Sequence, residues 1–239
     1  MRIAIFSDVH SNLPALDAVL ANIAVVAVDR RYVLGDLVGY APWPNEVLER
    51  LQTENIPIVM GNYDDGTGFG RDECGCAYVK ERDKAEGDAG FAWTKAHTSE
   101  ANTAWLRTLH PQICFEADGK RYLLVHGSPR RINEYLNEDK PDATFARIAE
   151  GAHADVIVCG HTHKPYDKTV AGTRFVNVGS AGKPKDGNSR ACWALLDTTA
   201  DTVEFRRVAY DVEAAAQAIE ATDLPAEFAA QLREARGYL

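Results

Sequence analysis

Residues 1–23 read MRIAIFSDVHSNLPALDAVLANI, and they open the pattern that decides the fold class. The apolar run from Arg2 ends at Ser7-Asp8, as in a buried strand that delivers polar groups at its carboxyl end. Ser11 or Asn12 then offers a helix cap, and Pro14 sits in the first turn. Leu13, Leu16, Leu20 and Ile23 follow at helical spacing. The unit repeats. RRYVLGD (30–36) is a second strand, NEVLERLQ (45–52) a helix opened by Pro44 or Asn45, and PIVMGN (57–62) a third strand. This βαβαβ order predicts an α/β protein with a mainly parallel sheet covered on both faces.

Residues 64–90 break the rhythm with Gly, Asp and Glu and lack clean periodicity, which predicts a long surface loop with some helix. Helical patterns resume at 86–97 and 99–109. The second half is richer in hairpins. ICFEADGKRYLLVHG (113–127) turns at Asp118-Gly119, and YDKTVAGTRFVNVG (166–179) turns at Ala171-Gly172. ACWALLDTTADTVEFRRVAY (191–210) is a looser third hairpin. A helix at 142–151 and a buried strand DVIVCGH (155–161) lie between the first two. Three hairpins after the βαβ half suggest a second, mixed sheet packed on the first. C-terminal helices near 211–236 are divided by Pro225. Without repeats or linkers, 1–239 reads as a single domain.

Composition excludes several classes. At 239 residues, with 46% hydrophobic and 26% charged residues, the chain can bury a sizeable core. No run reaches the roughly 18 apolar residues of a membrane span, and the N-terminus reads as a strand, not a signal peptide. The expected compartment is the cytoplasm. A net charge of −9 argues against nucleic acid as a broad surface partner. It leaves a small anionic substrate open, because bound cations can invert the local field. Five cysteines form no even framework, and Cys74-Gly75-Cys76 reads as loop thiols ahead of a zinc site.

The chemistry gathers at strand ends. Asp8-Val9-His10 follows strand one, Gly35-Asp36 strand two and Asn62 strand three. His126 closes a hairpin strand, and His161-Thr162-His163 follows DVIVCG. Carboxyl ends of strands form the usual site of an open α/β sheet. Residues i and i+2 of an extended chain share a side, so Asp8 with His10, and His161 with His163, are expected to converge. Glycines 35, 61, 127 and 160 adjoin these residues, where close backbone approach needs a missing Cβ. Mixed imidazole and carboxylate donors suit Mn, Fe, Zn, Ni or Co better than Ca or Mg alone. His97, His110 and His153 have no motif beside them and read as ordinary structural histidines.

In this order, DVH, GDLVG, GNYD, VHGS and GHTH resemble the calcineurin-like metallophosphoesterase superfamily. The longer phrases SNLPALDAVL, GDLVGYAPWPNEV, GHTHKP and VNVGSAGKP are similar to its small single-domain bacterial and archaeal branch. The likeness runs from residue 1 to about residue 210 and is weakest at 64–110. It implies an α/β fold in which a two-sheet β sandwich is flanked by helices (αββα). It further implies two divalent metal ions (Mn, Fe, Ni, Co or Zn). One would be held by Asp8, His10, Asp36 and His163, the other by Asp36, Asn62, His126 and His161, with Asp36 bridging. Two such ions about 3.5–4 Å apart clamp the attacking and leaving oxygens, and they lower the pKa of bound water from 15.7 towards about 7, giving a hydroxide nucleophile.

The implied activity is phosphoester hydrolysis, foremost of a phosphodiester, on a small or nucleotide-like phosphorylated substrate. A phosphatase acting on monoesters or phosphoproteins is the alternative, as is a non-catalytic scaffold like the retromer subunit of the same superfamily. Arg130, Arg131, Lys164, Lys183 and Lys185 follow ligand motifs and are candidates to touch phosphate, with a solvated basic rim as the plainer reading of each. A homo-oligomer through the C-terminal helices or a sheet edge is compatible with the pattern. Tyr63 departs from the commonest family pattern, which has a histidine there beside an acid matching Asp64. Tyr has an unperturbed pKa of about 10 against about 6.5 for His, so it is a poor acid at neutral pH but can donate a neutral hydrogen bond.

Overall fold

A computed structural model describes residues 1–238. The first sheet has the strand order β2-β1-β8-β9, formed by Arg30–Val33, Arg2–Phe6, Ala191–Asp197 and Thr202–Val208. The second has the order β3-β4-β5-β7-β6, formed by Ile113–Ala117, Lys120–Leu124, Val156–Cys159, Thr173–Asn177 and Tyr166–Val170. Alternation along the strands builds the layers. Ile3 and Ile5, with Ala194 and Leu196 of the neighbouring β8, face the second sheet, where Val156 and Val158 meet them. Ala4 and Phe6 point the other way, into a core shared with α1 (Leu13–Ala24), α2 (Pro44–Glu54), α7 (Val212–Glu220) and α8 (Ala226–Glu234). Ile157 and Cys159 face outward onto α6 (Asp142–Ala152) through Phe145 and Ile148. The result is helix, sheet, sheet, helix, as the resemblance implies.

Four expectations need correction. The first sheet is mixed, not mainly parallel: β1 pairs with β2 in parallel, but β8 runs antiparallel to both β1 and β9. The third hairpin therefore belongs to the first sheet. Its strand Ala191–Leu196 is buried on both faces, so it takes a central place that a solvent-facing hairpin would not. PIVMGN makes only isolated bridges, Val33 to Ile58 and Val59 to His110. Pro57 lacks a donor N–H, and the chain turns into a helix at Asn62.

The supposed loop at 64–90 is mostly helical: α3 spans Asn62–Gly68 and α4 spans Glu81–His97, leaving 69–80 between them, with α5 (Glu100–Leu106) after. Gly66 and Gly68 hide α3 by lowering helix propensity. Tertiary packing overrides that, because Gly66 lies against the Phe91 ring of α4. Asp64 closes the helix start by accepting the Gly61 N–H at 2.9 Å.

Candidate metal centre

The site is built where the loops after β1, β2, β4 and β5 meet the start of α3. Asp8 N–H donates to Gly35 O at 2.9 Å, His10 N–H to Asp36 O at 2.9 Å, and Gly160 N–H to His126 O at 2.8 Å. These bonds lace neighbouring loops together. The approach is so close that a Cβ on Gly61 would stand 2.1 Å from the Asp36 amide nitrogen. Asp8, His10, Asp36, His161 and His163 all take positive φ, between 49° and 64°. Each such residue costs about 1–3 kcal/mol, which persists only where the surrounding structure over-determines it. This is where the extended-chain expectation fails. His161 and His163 are not on one strand face, and their rings go to different clusters.

One cluster is Asp8, His10 and His163; the other is Asp36, His126 and His161. Within each, the candidate ligand atoms lie within 4.8 Å of one another. All six residues and Asn62 are at most 3% exposed. In the first, His163 Nε2 is 3.3 Å from Asp8 Oδ1 and 3.2 Å from His10 Nε2. In the second, His126 Nε2 is 3.3 Å from Asp36 Oδ2 and 3.1 Å from Asn62 Oδ1. Asp36 Oδ2 is also 3.6 Å from His10 Nε2, so it stands between the clusters.

Orientation is set by the atoms that face away. His10 Nδ1 donates to Val38 O (3.0 Å), His126 Nδ1 to Leu34 O (2.6 Å) and His163 Nδ1 to Lys183 O (2.5 Å). A carbonyl accepts only, so Nδ1 carries the proton. Nε2 of His10 and His163 then presents a lone pair inward, the usual arrangement of a metal-binding histidine, and Nε2 of His126 would present one once a cation displaced its second proton. Tyr63 N–H holds Asp36 Oδ1 at 2.9 Å, and His161 N–H holds Asp8 Oδ2 at 3.0 Å. Asn62 donates Nδ2 to Cys74 O at 3.0 Å, which aims its Oδ1 at His126. Asp8 Oδ1 and His161 Nε2 are buried with no hydrogen-bond partner.

These orphaned atoms fit divalent ions. Donors about 2.0–2.2 Å from a shared ion stand about 3.0–3.5 Å apart. His163 to Asp8 (3.3 Å), His163 to His10 (3.2 Å) and His126 to Asp36 (3.3 Å) match this, and His10 to Asp8 is somewhat wider at 3.8 Å. The electrostatics agree. Burial pulls His10 down to about 3 against the attraction of Asp36, and burial also drives His161 and His163 well below the ordinary imidazole range. Three rings are thus held neutral. Burial pulls on His126 too, but the Asp36 carboxylate outweighs it and raises the ring to about 9.

The other candidates are placed differently. Asp64 is buried, and its carboxylate is used by two backbone donors, Leu37 N–H at 2.8 Å and Gly61 N–H. Burial, with Asp36 nearby, pushes it up to about 7. Tyr63 is 1% exposed and packs its ring on His10, Tyr40 and Phe91. Arg130 is exposed and paired with Glu134, and Lys164 and Arg131 are exposed. Lys183 is buried, donating Nζ to Gln231 Oε1 at 2.6 Å. Lys185 is half-buried beside Cys76, Asp8 and Asp36. His97 stacks on Trp93 and His153 ends α6.

Three contributors escape sequence reading. The Tyr40 ring meets His10 edge-on at 4.7 Å, the Tyr135 ring lies 4.1 Å from His161, and Cys76 Sγ is 3.4 Å from Asn62 Nδ2. All come from irregular segments with no periodicity to flag them. The position of Tyr40 in GDLVGY, four residues past Asp36, carried a signal, as did the Cys74-Gly75-Cys76 pair, which read as loop thiols.

A family model described as the calcineurin-like phosphoesterase superfamily domain matches residues 1–201. MJ0912 of Methanocaldococcus jannaschii, itself uncharacterised, is 32% identical over 240 residues, covering 93% of each chain. The crystal structure of a metallophosphoesterase from Sphaerobacter thermophilus superposes with a TM-score of 0.80 at 28% identity, over 98% of this chain and 99% of that one. PH1004 of Pyrococcus horikoshii shares the fold, with a TM-score of 0.86 at 23% identity over 100% and 99% of the two chains.

Proposed function

The chain belongs to the calcineurin-like phosphoesterase superfamily, and from that membership we propose that it is a dinuclear metal-dependent phosphoester hydrolase that favours phosphodiesters. The observation that carries this reading is Asp36 Oδ2, which stands between two buried Asp/His clusters whose lone pairs face inward. One ion would be held by Asp8, His10, Asp36 and His163, and its partner by Asp36, Asn62, His126 and His161. Such ions supply a water nucleophile at neutral pH and positive charge for the phosphoryl oxygens.

The chain's own residues do the rest. Backbone carbonyls of Val38, Leu34 and Lys183 keep three imidazoles aimed, and the N–H groups of Tyr63 and His161 fix the two carboxylates. Burial of every ligand excludes bulk water and strengthens each charge interaction. Tyr63 replaces the acid that a histidine would provide. Burial, with Tyr40 beside it, holds its hydroxyl well above the ordinary tyrosine range, so it stays protonated and neutral. A site that cannot readily protonate its leaving group suits esters whose leaving group departs as an anion. Diesters of acidic phenols meet that condition better than alkyl esters.

The test is direct. The purified chain is stripped with chelator, reloaded with Mn²⁺, Ni²⁺ or Zn²⁺, and assayed on bis-aryl and mono-aryl phosphates, with Asp36→Asn as control. Faster turnover of the diester, lost in Asp36→Asn, is the expected result. Metal uptake without turnover of any ester rejects a hydrolase and leaves a scaffold of the same fold.

A further inference from the structure

A cavity of about 370 Å³ adjoins the metal centre. Two of its walls, Tyr40 and Tyr135, are the rings that pack on His10 and His161. Cys76, beside Asn62, forms part of the floor. Tyr78 and Tyr238 close the far end, their rings 5.8 Å apart and nearly perpendicular. Both of their hydroxyls are buried, and neither has a hydrogen-bond partner among the described residues.

This chamber is built into the fold. Asn62 Nδ2 and Asn133 Nδ2 pin the 69–80 segment through Cys74 O and Gly75 O, at 3.0 and 2.8 Å. Tyr78 reaches across to α4 only because residue 87 is glycine: a Cβ there would stand 2.1 Å from the Tyr78 hydroxyl. The chamber's charge also has a sign. Lys80 and Lys185 line it with Asp83, while Lys183, buried and committed to Gln231, is held by that burial well below the ordinary lysine range. A larger cavity reaches Asn62 from the other side, but Asp65, Asp72, Glu73 and Asp88 there outnumber Arg71 and Lys84 and would repel an anionic ester.

We propose that the tyrosine-lined chamber is the recognition subsite of the enzyme, and that its substrate joins the scissile phosphate to a planar aromatic group, an aryl or nucleobase ring. The ring lies among Tyr78, Tyr135 and Tyr238, and Lys185 faces the phosphate. Aromatic faces accept any flat π-system. The volume lies at the small end of ligand pockets, which run to about 300–1,000 Å³. It holds one ring system and its sugar, and it is too small for a folded protein segment. The assignment rests on the hydrolase reading above for the word substrate, but not for binding.

Calorimetry on the metal-loaded chain separates the two. Methylphosphonate, phenylphosphonate and the phosphonate analogue of adenosine monophosphate are not hydrolysed and present the same anion. Phenylphosphonate is expected to bind at least tenfold more tightly than methylphosphonate, which is about 1.4 kcal/mol. An adenosine analogue tighter than the phenyl compound identifies a nucleobase, and a weaker one identifies a simple aryl group. Tyr78→Leu should bring the phenyl-to-methyl ratio towards one, while Tyr78→Phe keeps it. Equal affinity of the unmodified chain for methyl and phenyl compounds overturns the proposal. A ring preference without turnover of any ester keeps the chamber and removes the hydrolase reading; turnover without ring preference does the reverse.

Discussion

The Tyr63 ring stands edge-on to the His10 imidazole, with centroids 5.3 Å apart and planes at 83°. A residue at the acid position of the family motif thus forms part of the wall that positions a metal-ligand candidate. Its hydroxyl is influenced by Tyr40, Cys76, Cys74 and Tyr78, the side of the site on which the tyrosine chamber lies. Its backbone N–H meanwhile fixes Asp36.

Replacing Tyr63 by histidine should therefore change leaving-group dependence more than binding. General acid catalysis is typically worth about 10²–10⁴-fold, and an imidazole placed here should recover at least tenfold on esters with basic leaving groups. Esters of 4-nitrophenol should gain little. The measurement is log kcat/KM against leaving-group pKa for both proteins. Parallel lines would show that position 63 does not act on the leaving oxygen. The exchange also removes a packed ring from the core, so a loss of about 1–3 kcal/mol in urea unfolding is expected.

Asp64 acts through the backbone. Its two oxygens accept N–H bonds from Leu37 and Gly61, tying the loop that carries Asp36 to the helix that carries Asn62. Asp64→Ala would leave both donors buried and unpaired, at about 1–3 kcal/mol each. The expected loss is about 2–6 kcal/mol in urea unfolding, together with weaker metal retention. Wild-type stability in Asp64→Ala would mean that other groups satisfy those donors.

Much of the candidate centre is legible in sequence because, Asn62 at the start of α3 apart, its candidate ligands follow strand ends, where the fold class predicts a site. Asp8, His10, Asp36, Asn62, His126, His161 and His163 are brought together with no rival histidine among them. Strand partners are less legible. The hydrophobicity of β8 says it is buried, but not that β1, almost two hundred residues earlier, lies beside it. Helix α3 is masked by Gly66 and Gly68, whose lack of a side chain serves packing against Phe91 and Leu106. Tyr40, Tyr135 and Cys76 reach the site from irregular chain, where no period marks a face.

The two clusters should be separable by mutation. His163 belongs to the first with Asp8 and His10, and His161 to the second with Asp36 and His126. His163→Ala and His161→Ala should each lower the bound Mn²⁺ or Zn²⁺ from two ions per chain to about one, and Asp36→Asn should weaken both. Elemental analysis after gel filtration reads this out. Removing all metal with chelator should lower Tm, because ions that bind only the folded state add to its stability. Full metal content in both histidine variants would refute the division.

The tightest constraint is at Gly61. A Cβ there would lie 2.1 Å from Asp36 N and 2.3 Å from Asp36 Oδ1, and neither atom is free to retreat. The amide belongs to a residue already held at φ 51°, and Oδ1 accepts the Tyr63 N–H. Gly61→Ala must therefore move the Asp36 carboxylate or the start of α3, where Asn62 begins. Gly119, at the tip of the β3–β4 hairpin, has no atom within 4 Å of an added Cβ and serves as the comparison, although its φ of 76° strains any side chain. Gly119→Ala should lose about 1–2 kcal/mol from backbone strain alone and keep its metal. Gly61→Ala should lose more than about 3 kcal/mol and most bound metal. Unfolding in urea and metal content together decide it: if the two variants behave alike, the close contact between Gly61 and Asp36 does not hold the Asp36 carboxylate in place.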